Sequence, residues 1–137
     1  MIDRILNRTK VLEKTLDASW LRNETISNNI ANVDTPAYKR KSVEFEDMLS
    51  KALDKDSIKG KRTDNRHIPI GASDVDEVQI KVNEDKSTLN YRIDGNNVDI
   101  EHEMALMAKN TIQYNTITQK LNGSFKSIKS VIHEGRR

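Results

Sequence analysis

The sequence contains no cysteine, which excludes disulfide frameworks, thiolate catalysis and Cys-based zinc sites. Aromatic residues are scarce: one Trp, two Phe and three Tyr among 137 residues cannot build a thick interior. No stretch approaches the roughly 18 consecutive apolar residues of a transmembrane helix, so direct membrane insertion is not expected. The opening Met-Ile-Asp-Arg-Ile-Leu lacks a continuous apolar run, and no secretory signal peptide is expected there. Charge of one sign is missing as well. The 23 basic residues stand against 21 acidic ones, whereas a nucleic-acid binder concentrates basic charge on one face.

Catalytic constellations are also lacking. His67, His102 and His133 lie far apart in the chain. His102-Glu103 opens like a zincin helix, but Leu106 stands where the second ligand would be. Glu101 and Glu103, two residues apart, point to different sides of a helix and read as a solvated acidic first turn. Five glycines form no phosphate-cradling loop. Lys39-Arg40-Lys41, after Tyr38, reads as a solvated charge run. Three Asn-x-Ser/Thr tripeptides, at Asn7, Asn23 and Asn122, are matches of a size that chance supplies. No catalytic residue, metal ligand or cofactor is expected.

What is present is periodicity. Only 35% of residues are hydrophobic and 32% are charged, yet the apolar ones recur in register, which separates the chain from disordered sequences. Alternating steps of four and three from Ile5 meet Thr9, Leu12, Leu16, Ser19, Asn23, Ile26, Ile30 and Val33, predicting a helix over about 3–32 with a weakened middle. It ends before Thr35-Pro36, because proline disfavours helical geometry in the residue before it. A short helix is predicted over 43–53, capped by Ser42, with Phe45, Met48, Leu49 and Ala52 on one face. Residues 54–74 read as a surface loop. Val78, Ile80 and Val82, then Leu89, Tyr91 and Ile93, alternate with polar residues around Asn83–Lys86, the pattern of a β-hairpin.

The strongest signal is C-terminal. From Ile100, the same steps meet Met104, Met107, Thr111, Tyr114, Thr118, Leu121, Phe125, Ile128 and Ile132 without a slip. Asn97 or Asp99 can cap this helix, with Glu101 and Glu103 at its positive end and Lys126, Lys129 and His133 at its negative end. About 34 residues span roughly 50 Å, too long for a self-contained domain this small, so the helix needs a partner. Gly123 is a weak point costing about 1 kcal/mol, or a place where a neighbouring backbone comes close. The fold class is mainly α: long terminal helices packed as an antiparallel coiled-coil-like pair, with a short helix, a loop and a β-hairpin between. One domain, 1–137, divides into the N-terminal helix (1–35), the intervening segment (36–96) and the C-terminal helix (97–135).

One segment exceeds these structural needs. Asn28-Asn29-Ile30-Ala31-Asn32-Val33-Asp34-Thr35-Pro36-Ala37-Tyr38-Lys39 places three asparagines, mediocre helix formers, at the end of a helix. Such side chains satisfy loose backbone groups or bridge to a neighbour. The segment resembles the signature of the flagellar rod/hook axial proteins, Asn-Asn-(Ile/Leu)-Ala-Asn-x-x-Thr-Pro-Gly-Tyr-Lys, departing from it at Ala37, where the family has Gly. If that position needs a positive φ, Ala37 is strained. Gly95-Asn96-Asn97-Val98-Asp99-Ile100-Glu101, then Glu103, Met104, Asn110, Tyr114 and Leu121, are similar to the C-terminal region of a short proximal-rod member.

The resemblance implies a non-enzymatic subunit of the basal-body rod, on the periplasmic side of the inner membrane, exported through the flagellar type III apparatus without a cleaved signal peptide. It implies terminal helices packed as an inner layer of a tubular drive shaft. The implied partners are other rod subunits, the MS ring with its rod-junction protein, and the export apparatus. The residues expected to bind neighbours are Ile26, Asn28, Asn29, Ile30, Asn32, Thr35, Pro36, Tyr38, Met104, Met107, Tyr114, Ile117, Leu121, Phe125 and Ile128. The family's other short rod subunit is a close alternative. A cytosolic coiled-coil adaptor would explain the heptads but has no use for the Asn-rich Thr-Pro segment.

Overall fold

The computed structural model describes residues 2–53, 64, 79–85 and 93–135. Its elements are α1 (Ile2–Ala31), β1 (Lys41–Glu44), α2 (Glu46–Leu53), β2 (Lys81–Glu84) and α3 (Ile100–Glu134). They fall into two compact units, Met1–Val43 with Val82–Arg137, and Glu44–Lys81. The fold is mainly helical, as the periodicity predicts, with two long terminal helices and a small two-stranded antiparallel sheet between them in the chain.

Helices α1 and α3 pack on each other. Asn29 stands opposite Glu103, while Ser19 and Asn23 stand opposite Asn110, so the two run antiparallel. The α1 seam has the predicted phase: Thr9, Ser19 and Ile26 are buried, and Leu12, Leu16, Asn23 and Ile30 half-buried. Its small polar residues are accommodated by bonding to their own helix. Thr15 Oγ1 donates to Val11 O, Ser19 Oγ to Thr15 O and Thr25 Oγ1 to Leu21 O, so they enter the interface without an unmet hydroxyl.

The α3 seam differs from the predicted one in half of its positions. Met107, Tyr114, Thr118, Leu121 and Ile128 are inside as expected, but Ile100, Met104, Thr111, Phe125 and Ile132 are exposed, and Glu103, Asn110, Ile117 and Ser124 join the seam instead. Met104 and Phe125, one residue on, are 60% and 48% exposed. The predicted steps pass over Glu103 and Asn110, which are buried because they have partners, and land one residue on, at Met104 and Thr111. Asp99 is the N-cap, its carboxylate accepting from Glu101 N and His102 N. The site of a Cβ on Gly123 meets nothing within 4 Å, so among the described residues no backbone outside its own helix approaches it.

Two local expectations are corrected. Ser42 caps no helix. It lies in β1, and α2 begins at Glu46, with Glu46 and Asp47 at its positive end and Leu49 N donating to Phe45 O at 2.9 Å. Asn83 and Glu84, read as a turn, lie in β2, which pairs with β1. All four β2 residues are exposed, so polar side chains suit the strand. Of the expected second hairpin arm, Leu89 and Tyr91 lie outside the described residues, and Ile93 stands in a turn. The loop expected over 54–74 lies outside them too, apart from Asp64.

Candidate functional site

The Asn-rich segment and the start of α3 meet in a cluster of buried polar side chains. Asn29, fully buried on the last turns of α1, makes four hydrogen bonds. Its Nδ2 donates to Lys41 O (2.8 Å) and Glu103 Oε2 (3.0 Å), and its Oδ1 accepts from Lys41 N (3.0 Å) and Tyr38 Oη (3.2 Å). The amide takes both backbone groups of Lys41, as a neighbouring strand would. These two hydrogen bonds hold Lys41 extended and start β1, which runs on into Val43 and Glu44, the first two positions of the helix expected over 43–53.

Asn96 is the second hub. Its Nδ2 lies within 3.0 Å of the carbonyls of Asn32, Val33 and Thr35, and its Oδ1 accepts from Val98 N. Carbonyls past the end of α1 have no helical partner, so this side chain closes the helix from more than sixty residues away. Asn32 adds a local closure, Nδ2 donating to Asn28 O while Oδ1 accepts from Thr35 Oγ1. Asn97 Oδ1 accepts from Arg40 N at 2.7 Å, and Lys39 Nζ donates to Gly95 O at 2.9 Å.

Glu103 is fully buried, not a solvated first-turn acid. Its Oε1 pairs with Arg40 Nε at 2.5 Å and its Oε2 accepts from Asn29. Arg40, expected on a solvated run, is the counter-charge. Burial pushes the Tyr38 phenol above its ordinary value of 10.0, and the nearby Glu103 and Glu84 carboxylates push the same way. The folded state therefore holds the phenolic proton more tightly than the unfolded chain. This stabilisation is intact below pH 10 and is lost as pH rises through the folded value. Tyr38→Phe should flatten the alkaline limb of the stability–pH profile, and at neutral pH cost about 1 kcal/mol for one hydrogen bond. Urea melts between pH 7 and 11 read both effects.

Ala37 has φ +59°, so the position where the signature has Gly does require the left-handed region. Its N–H donates to Asp94 O at 3.0 Å, which holds the turn against Gly95, itself at φ +83°. A left-handed alanine costs about 1–2 kcal/mol, and glycine gives back part of that in unfolded-state entropy. Ala37→Gly should stabilise the chain by about 0.5–1 kcal/mol, seen as a raised midpoint in thermal unfolding.

Farther along the helices, Asn110 forms a single polar rung. Its Nδ2 donates to Ser19 O and Asn23 Oδ1 (2.8 and 2.9 Å), while its buried Oδ1 has no hydrogen-bond partner. Of the residues expected to bind neighbours, the structure gathers Asn29, Asn32, Thr35 and Tyr38 in the cluster. It places Ile26, Ile30, Met107, Tyr114, Ile117, Leu121 and Ile128 in the helix seam, buried or half-buried, and leaves Asn28, Pro36, Met104 and Phe125 exposed. Residue-type reasoning missed the roles of Arg40, Asn96, Asn97 and Glu103. The available signal was a second asparagine pair, at 96–97, at the point where an antiparallel partner of α1 must begin.

The arrangement suits holding rather than reacting. Every functional atom of Asn29 and the carboxylate of Glu103 is engaged, and among the described residues no three His, Cys, Asp or Glu converge on a metal position. Among them too, no helix is long and apolar enough to cross a membrane. Residues 11–39, the seam of α1 and the Asn-rich segment, match the family described as flagella basal body rod protein. The chain is similar to the flagellar basal body rod protein FlgB of Bacillus subtilis (strain 168), 36% identical over 125 residues covering 91% of this chain and 92% of that one. The FlgB of Borreliella burgdorferi is 36% identical over 85% of this chain and 89% of its own, and that of Escherichia coli (strain K12) 29% over 98% and 99%.

These likenesses define a class first: a structural rod subunit of the bacterial flagellar basal body, working among other basal-body components and not an enzyme. Within that class, the chain belongs to the FlgB family.

Proposed function

We propose that the chain is a proximal-rod subunit that builds a tubular drive shaft through its terminal helices. The observation that carries this reading is the division of α3 into two faces. One packs on α1, and beside it Met104, Phe125 and Ile132 remain 60%, 48% and 64% exposed at steps of 21 and seven residues, all whole heptads. A stripe that keeps the heptad period while open to solvent suits a second helix. Each large side chain fully buried there contributes roughly 1.5–3 kcal/mol. Subunits related by a rotation and a rise meet through unlike surfaces and propagate as a helical tube.

In this reading the polar cluster sets the angle and register at which α1 and α3 are presented, and the seam and stripe residues supply the area. The neighbours are other rod subunits and, at the membrane end, the MS ring with its rod-junction protein. The chain reaches the periplasmic side of the inner membrane through the flagellar type III apparatus. Deletion of the gene, followed by electron microscopy of isolated basal bodies, tests the role. Basal bodies that stop at the MS ring are the expected result; intact rods with normal swimming would refute it.

A further inference from the structure

The one tryptophan of the chain lies on the wrong side of its helix for a core residue. Trp20 is 61% exposed on α1, facing away from the seam formed by Leu16, Ser19, Asn23 and Ile26. Glu13, Asp17, Trp20 and Glu24, spaced four, three and four residues apart, share that exposed face, with Lys10 one turn earlier. An exposed indole flanked one turn before and one turn after by carboxylates is an unusual use of a large apolar side chain. Tryptophan, with tyrosine and arginine, is enriched among the side chains that anchor interfaces.

Helix α3 carries the complement. From Met104 to His133 it contains Lys109, Lys120, Lys126 and Lys129, all exposed, and no acid. Phe125 and Ile132, 48% and 64% exposed, lie two turns apart, about 10 Å, with Lys126 and Lys129 beside them. Asp17 and Glu24 are also two turns apart and bracket Trp20. The two faces match in spacing, in charge and in apolar content.

They cannot meet within one molecule. The antiparallel register set by Asn29–Glu103 and Ser19–Asn110 puts Trp20 level with about residue 112, some 13 residues or roughly 20 Å from Phe125. We infer that the Asp17–Trp20–Glu24 face of one subunit docks on the Phe125–Ile132 face of α3 in a second copy of this chain, the indole entering between Phe125 and Ile132 and the carboxylates meeting Lys126 and Lys129. This rests on the assembly reading above and gives it a defined contact. The contact joins unlike surfaces, so each copy leaves one of each for the next, and with a rise between copies it repeats as an open helix.

The natural absence of cysteine makes the test direct. Trp20→Cys and Phe125→Cys variants are expressed together in one deletion strain, oxidised, and their isolated basal bodies run on a non-reducing gel. A disulfide requires Cα atoms within about 7 Å, which the same-chain distance forbids, so a cross-linked band of twice the subunit mass reports the contact between copies. Trp20→Cys with Ile112→Cys, on a different side of α3, should give no such band. In otherwise wild-type chains, Asp17→Lys with Glu24→Lys should lower incorporation into basal bodies by roughly tenfold. Adding Lys126→Glu and Lys129→Glu to the same chain should restore it. The protein present in basal bodies without the cross-link, or cross-linked to a component of another mass, would overturn this inference and leave the rod role standing. Absence of the wild-type protein from basal bodies would overturn the rod role and the inference with it.

Discussion

Asn29→Asp should destabilise the chain by about 3–5 kcal/mol, measured as the loss of helical signal in urea. The exchange is nearly isosteric, so the cost is purely one of chemistry. The oxygen facing Lys41 N and Tyr38 can still accept both bonds. The atom that donated to Lys41 O and Glu103 Oε2 becomes an oxygen, and two bonds turn into contacts between acceptors. One of them sets two carboxylates about 3 Å apart in a site without water access. Natural domains have only about 5–15 kcal/mol in hand, so a chain with this lean a core should lose its fold near growth temperature. Adding Glu103→Gln should recover about half of the loss, because an amide can donate to the new carboxylate at 29. A melt unchanged by Asn29→Asp would mean that the amide is not the buried hub described above.

Arg40→Leu should cost a similar amount, about 3–5 kcal/mol, for a different reason. Exposed ion pairs contribute little because water screens them, but here the Glu103 side chain is 1% exposed against 23% for Arg40. Removing the guanidinium leaves a buried carboxylate with Asn29 as its remaining side-chain donor. Arg40→Lys should recover most of the charge term and lose the directional Nε bond, for a net cost of about 1 kcal/mol. Thermal melts of the two variants side by side decide the point: a leucine variant as stable as the lysine one would show the pair to be solvated. In cells, the leucine variant should be depleted from basal bodies and the lysine variant retained.

Much of the helix pair was legible in the sequence, because its signals are local and repeated. Steps of four and three from Thr9 to Ile30 land only on buried or half-buried α1 positions, passing over the buried Ala18, Thr25 and Asn29, and the α3 boundaries follow from Asp99, Glu101 and the basic last turns. The clasp was legible only in half. Three asparagines at a helix end stood out, yet the partners on the other helix's approach, Glu103 for Asn29 and Asn96 for the Asn32 carbonyl, lie 74 and 64 residues away, and no local pattern names them. Glu103 is a first-turn acid like any other until Arg40 and Asn29 arrive. Strand β1 escaped detection for the same reason: its pairing begins with a side-chain amide, and Lys41-Ser42-Val43-Glu44 has no strand-like composition apart from Val43. The resemblance to axial proteins marked most of these residues before any physical account of them was available.

The side chains that lock the two long helices are gathered at one end. Joining Asn29 to Glu103, 74 residues apart, costs about 4 kcal/mol of loop-closure entropy. Once that ring is shut, Asn110 and Ser19 are separated by seven residues of α3 and ten of α1 in place of 91 residues of chain, so the second closure costs less than the first. The helices therefore close like a zip from the clasp towards the start of α1. In the other direction, no buried charge lies among the described side chains beyond the clasp, and Ser19, Thr15 and Thr118 keep their hydroxyls bonded to their own helices when the pair parts. Separation of the two helices should therefore begin at the start of α1 and reach the clasp last.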